Sequence, residues 1–146
     1  MGSPIETSKS PLETFAIGKK LADILSPGVV VAVTGPLGSG KTQFTKGIAQ
    51  GLGITENITS PTYTIINEYL FKKADKDCKF YHIDVYRLND DRDFEDIGGT
   101  EILNSNGICV IEWSDRIPNS LPPDVITVTF EITGTTSRLI QISELT

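Results

Sequence analysis

Residues 35–42, Gly35-Pro36-Leu37-Gly38-Ser39-Gly40-Lys41-Thr42, have the types and spacing to hold a phosphate chain. They fit GxxxxGK(S/T), the phosphate-binding loop. Glycines let backbone N–H groups turn inward around phosphate oxygens, with no Cβ in the way. Lys41 supplies a point charge to the β- and γ-phosphates, and the Thr42 hydroxyl is placed to ligate Mg²⁺. A helix opening at this point aims its positive end at the same phosphates. A loop of this kind also needs a carboxylate at the end of a neighbouring strand, for Mg²⁺ or its waters. Asp84, after Phe80-Tyr81-His82-Ile83, and Glu112, after the apolar Ile108-Cys109-Val110-Ile111, are the two candidates. The residues alone do not divide the direct and indirect roles between them.

The flanking pattern supplies the elements this chemistry requires. Val29–Thr34 is a β-branched apolar run and predicts a buried strand ahead of the loop. Phe44, Ile48, Ala49 and Leu52 recur at helical spacing over residues 41–52, with Gly53 at a helix C-terminus. Upstream, Ser10-Pro11-Leu12-Glu13 is a helix start with a serine cap and proline at the first position. That helix runs to Ser26-Pro27-Gly28 and puts Thr14 among the candidates near a nucleotide base. Residues 1–9 lack periodicity and read as a flexible tail ahead of one domain over 10–146. Residues 63–71 and 79–86 read as strands, with the charged Lys72–Asp77 stretch as a hairpin loop. Residues 90–104 read as short helices broken at Gly98-Gly99, with Asp91 or Asp93 capping the first and Thr100 the second. Residues 125–132 and 138–142 read as a closing hairpin. The expected fold is α/β: a single P-loop NTPase-like domain with a mixed, partly parallel sheet flanked by helices.

Bulk properties narrow the classes. The chain has 146 residues, a net charge of −6 and a pI of about 4.7. An acidic surface repels a phosphate backbone, so nucleic acid is expected only through a partner. No apolar run approaches the roughly 18 residues of a membrane span, and the N-terminus has no export pattern. The two cysteines, Cys78 and Cys109, form no CxxC pair and fit a reducing cytoplasm. The single histidine, His82, has no second ligand at metal spacing and reads as structural. A GTPase would carry DxxG and NKxD; Asp96-Ile97-Gly98-Gly99 matches the first, and the second is absent. A nucleotide kinase would carry an arginine-rich lid, whereas Arg87, Arg92, Arg116 and Arg138 are scattered. An ATPase switch fits better, with a non-hydrolysing ATP sensor as the rival. The hydroxyl-rich Ser60-Pro61-Thr62-Tyr63-Thr64 suits a switch over the γ-phosphate as well as it suits a plain connector. Trp113 suits either the core or the nucleotide or partner surface.

The order and spacing of GPLGSGKT, Ser60–Thr64, Tyr81-His82-Ile83-Asp84-Val85-Tyr86-Arg87-Leu88 and Ile111-Glu112-Trp113 resemble the bacterial TsaE family, over about residues 10–143. The second and third stretches are more specific than the loop. The resemblance implies a cytoplasmic ATPase of tRNA threonylcarbamoyladenosine biosynthesis that binds ATP, ADP and Mg²⁺. It implies two partners forming a TsaD/TsaB-like heterodimer, which carries out the transfer while the ATPase drives or resets it. Carried over, Gly35, Gly38, Ser39, Gly40, Lys41 and Thr42 form the phosphate loop, with Gln43 beside it. Thr42 and Glu112 are the Mg²⁺ ligands, Asp84 is a second acidic residue of that site, and Lys41, Asp84 and Glu112 form the catalytic set. Ser60, Thr62 and Thr64 belong to the first switch. Trp113 lies beside the nucleotide or partner, and Arg138 counts among the cofactor-binding residues. The chain departs from the family at Pro36, where a polar residue is usual.

Overall fold

In the computed structural model, which describes residues 4–59 and 65–143, the sheet has seven strands in the order β1-β7-β6-β2-β5-β4-β3. The strands are β1 (Ile5–Ser8), β2 (Val30–Thr34), β3 (Ile66–Lys73), β4 (Lys76–Asp84), β5 (Ile108–Glu112), β6 (Ile126–Ile132) and β7 (Arg138–Ser143). The helices are α1 (Pro11–Leu21), α2 (Lys41–Gly51), α3 (Asp91–Asp96) and α4 (Gly99–Leu103). β4, β5, β2 and β6 run parallel, and the β3–β4, β6–β7 and β1–β7 pairs are antiparallel. This is the mixed, partly parallel sheet expected from the sequence. β2 and β5 lie at its centre and are apolar almost throughout because both faces are covered.

Alternation along these strands builds two cores. Val31, Val33, Phe80 and Val110 pack against Phe44 and Ile48 of α2 and Leu21 of α1. Val30, Cys109, Ile111 and Ile83 pack on the other face, against Phe94 of α3 and Leu103 of α4. The four parallel strands all point their carboxyl ends at one edge, where open α/β sheets bind ligands.

Four expectations need correction. Residues 1–9 are not a tail throughout: Ile5–Ser8 pairs with β7, in register Ile5 to Gln141 and Ser8 to Arg138. A four-residue edge strand is too short to show a period, and its partner lies at the far end of the chain. The Lys72–Asp77 stretch is not a loop. The strands run on to Lys73 and Lys76, and Ala74 and Asp75 alone make the turn, both at positive φ (51° and 63°). That two-residue geometry matches the twist of the flanking strands. The first short helix is capped by Asp90, whose side chain accepts from Asp93 N, not by Asp91 or Asp93. The second is preceded by Gly98 at φ 85°, not by a cap from Thr100, which lies inside it. A left-handed glycine turns the chain where a side-chain cap was expected.

Candidate functional site

The site forms where β2, β4 and β5 end. β2 runs straight into the glycine loop, which turns through Gly35, Gly38 and Gly40 at φ 153°, 78° and 102°. A Cβ at Gly35 would lie 2.7 Å from Phe130 Cβ, so this turn needs glycine for space as well as for conformation. α2 then opens at Lys41 with no side chain capping it. Its first-turn N–H groups therefore face the loop, as an anion site requires.

Lys41 is only 5% exposed. Its Nζ donates to the carbonyls of Gly35 (2.8 Å) and Pro36 (2.9 Å) and lies 4.2 Å from the Trp113 ring centroid. Burial pushes its ammonium below the ordinary lysine range, while Glu112, Asp84 and Asp115 pull it back up. Glu112, at the end of β5, is 3% exposed. Its two carboxylate oxygens accept from Thr42 Oγ1 at 3.3 and 3.2 Å. Asp84 sits beside Glu112 in parallel register, and its Oδ1 accepts from Tyr86 N at 2.9 Å. Burial pushes its carboxyl above the usual range, the Tyr86 N–H opposes this, and Glu112 adds to it. Thr42, Asp84, Glu112 and Lys41 thus converge at one strand edge.

Trp113 follows Glu112 at φ 63°, a conformation bulky residues rarely take. The bend directs its ring to Lys41 and against Tyr86, with centroids 4.7 Å apart. Trp113 therefore touches the site as well as packing beside the core.

A cleft of about 300 Å³ flanks the loop, lined by Ser10, Thr14, Ser39, Gln43 and Thr136 among others. Thr14 is buried, and its hydroxyl is already engaged with Ser8 Oγ at 2.7 Å. Arg138 borders the same cleft, yet its guanidinium donates to loop carbonyls: Ser39 O and Gly38 O at 3.1 Å each, then Gly134 O (3.0 Å) and Ser137 O (2.8 Å). It ties the β6–β7 hairpin to the glycine loop. A larger cavity of about 480 Å³ lies along α2 near Ala49, Ile54 and Ile58. Size does not make it the functional cleft, because it lacks the glycine loop and both carboxylates. Ser60, Thr62 and Thr64 lie outside the described residues.

The residues present fit Mg²⁺ and nucleotide phosphates. Gly38 has open space where a Cβ would stand, leaving the cradle clear. Among the described residues no three His, Cys, Asp or Glu side chains form a metal cage. Mg²⁺ is held by one or two carboxylates completed by phosphate and water, a donor set that Glu112 and Asp84 beside Thr42 would suit.

Known proteins resemble this chain over most of its length. The family model described as "Threonylcarbamoyl adenosine biosynthesis protein TsaE" matches residues 8–140. The chain belongs to the TsaE family. A relative from Bacillus subtilis (strain 168), named "tRNA threonylcarbamoyladenosine biosynthesis protein TsaE", is 43% identical over 129 residues, 88% of this chain and 78% of its own. A relative of the same name from Treponema pallidum (strain Nichols) is 40% identical over 136 residues, 93% of this chain and 97% of its own. The crystal structure titled Bacillus subtilus YdiB superposes with a TM-score of 0.80 at 34% identity, covering 99% of this chain and 87% of that one. In this TsaE-family chain the glycine loop, Thr42, Glu112, Asp84 and Trp113 converge. His82, read as structural, also reaches the site: its Nε2 lies 2.5 Å from Glu112 Oε2. A polar residue in a buried strand two positions before an acid was the available signal, because i and i+2 share a face.

Proposed function

We propose that this chain is a small ATPase serving threonylcarbamoyladenosine modification of tRNA. It binds ATP with Mg²⁺ and hydrolyses it to drive or reset a TsaD/TsaB-like heterodimer that carries out the transfer. The observation carrying this reading is the convergence of Thr42 Oγ1 and Glu112 beside Lys41, at the mouth of the glycine loop. Loop N–H groups and the Lys41 charge hold the β- and γ-phosphates. Thr42 and Glu112 would hold Mg²⁺, with Asp84 as a second acid, and the bound ion would supply charge neutralisation to the phosphates. Water attacks the γ-phosphorus, the bond from it to the bridging oxygen breaks, and ADP and phosphate leave. Asp84 orients that water. No helix among the described residues is long and apolar enough to cross a membrane. The net charge of −6 and the tRNA modification in its relatives' names support a cytoplasmic protein that meets tRNA only through its partners.

Phosphate release from Mg·ATP, with and without the heterodimer, tests this. Partner-stimulated multiple turnover is expected, with a loss of about 100-fold or more in Lys41→Ala and Glu112→Ala. Binding without turnover under both conditions would convert the reading to a sensor, and absence of ATP binding would overturn it.

A further inference from the structure

His82 has no role in the chemistry above, yet it occupies an expensive position. It lies in β4, wholly buried, with Phe80 before it on the same face of the strand. Its Nε2 is 2.5 Å from Glu112 Oε2, and its buried Nδ1 has no hydrogen-bond partner among the described residues. A side chain needed only for packing would carry no polar atoms here, because an unsatisfied buried nitrogen costs stability. The asymmetry also places the proton. An N–H at Nδ1 would be buried with no acceptor, whereas an N–H at Nε2 donates to the carboxylate.

Glu112 is thereby gripped from two directions. Thr42 Oγ1, from the first turn of α2, reaches both carboxylate oxygens, and His82 reaches Oε2 from the neighbouring strand. The register explains why. Asp84 and Glu112 are directly paired across β4 and β5, so His82, two residues before Asp84, sits diagonal to Glu112 on the same face. A carboxylate held only by Thr42 would be free to turn about its terminal torsion, which has broad minima.

We infer that His82 is a positioning residue for Glu112: its Nε2–H fixes the carboxylate plane that a divalent cation on the nucleotide would meet. This rests on reading Glu112 as a cation ligand. Partners of ligating carboxylates commonly set metal affinity, with losses of 10- to 100-fold on removal. The β4 strand then supplies two side chains to the site with separate duties, Asp84 at the edge and His82 beneath.

Two measurements on the full chain test this. The chain has a single histidine, so selective ¹⁵N-histidine labelling gives one imidazole to follow. In metal- and nucleotide-free protein the proton is expected on Nε2, with a resonance that moves in Glu112→Gln. A neutral ring protonated at Nδ1 alone, leaving Nε2 without a proton to donate, would overturn the inference. The second measurement is Mn²⁺ affinity in the presence of ADP, read by electron paramagnetic resonance. His82→Leu is expected to weaken Mn²⁺ by about 10- to 100-fold, with ADP affinity in the absence of divalent cation within about twofold. His82→Gln, which restores a donor near the Nε2 position, is expected to recover most of the loss. In a Glu112→Gln background His82→Leu should add less than about twofold. Equal losses in both backgrounds, or a folded His82→Leu with wild-type Mn²⁺ affinity, would overturn the inference and leave the ATPase reading standing. Wild-type protein that fails to bind Mn²⁺ with ADP would overturn both. Should His82→Leu not fold, His82→Gln and the imidazole spectrum decide.

Discussion

Asp84 illustrates how a carboxylate at the candidate site works against its own fold. Burial is the main reason its carboxyl is held above the usual range, with Glu112 adding to it and the Tyr86 N–H opposing it. A carboxyl raised on folding contributes stability below its unfolded value of about 3.9, and that contribution is lost as pH rises through the raised folded value. At neutral pH the ionised group therefore burdens the cation-free protein. Asp84→Asn is expected to raise the thermal midpoint at pH 7 in chelator, with the gain shrinking below about pH 4, while phosphate release falls. Melting curves at the two pH values check the sign; an unchanged midpoint at pH 7 would mean that water already pays the desolvation. The acid at the end of each strand was legible from residue type, because a charge after a buried run needs a reason. The Thr42–Glu112 contact was not, since it joins residues from a helix and a strand far apart in the chain.

Packing of α1 on α2 decides whether the loop is held at all. Gly18 and Gly47 face one another's helix: a Cβ at Gly18 would lie 2.1 Å from Phe44 O, and one at Gly47 would lie 2.0 Å from Phe15 O. The helices approach until backbone meets backbone. Alanine improves intrinsic helix propensity by about 1 kcal/mol, but here it must push the helices apart. Gly47→Ala is expected to destabilise by about 1–3 kcal/mol net, seen as a lower urea midpoint at unchanged slope. A stabilised variant would show that the helices separate freely. Both helices were readable from period and caps. Their closeness was not, because a glycine inside a helical pattern looks like a weak residue until its opposite number is known.

At the scale of the molecule, β1 extends the open sheet past β7 as its edge strand. Ser8, the last residue of β1, is buried and shares a hydrogen bond with Thr14. β1 thus covers the β7 edge and steadies the first turn of α1 beside the loop. Deleting residues 1–8 is expected to lower the thermal midpoint by several degrees, at about 2–4 °C per kcal/mol for a chain near this size. It should also promote association through the uncovered edge, visible by light scattering. A truncated chain with an unchanged midpoint and no association would show that the strand is dispensable.

The glycine loop, the helix it opens, the two acids and the α/β class were all written locally. Their signals are residue types at short spacing and periods of two or 3.6, which depend on nothing distant. The strand order, the β1–β7 pairing, the Arg138 grip on Gly38 and Ser39, and the His82–Glu112 contact were set by register between segments that are remote in the chain. Local patterns say which face of a strand is buried. Which strand lies beside it, and therefore which side chain meets which, follows from how all the faces are buried at once.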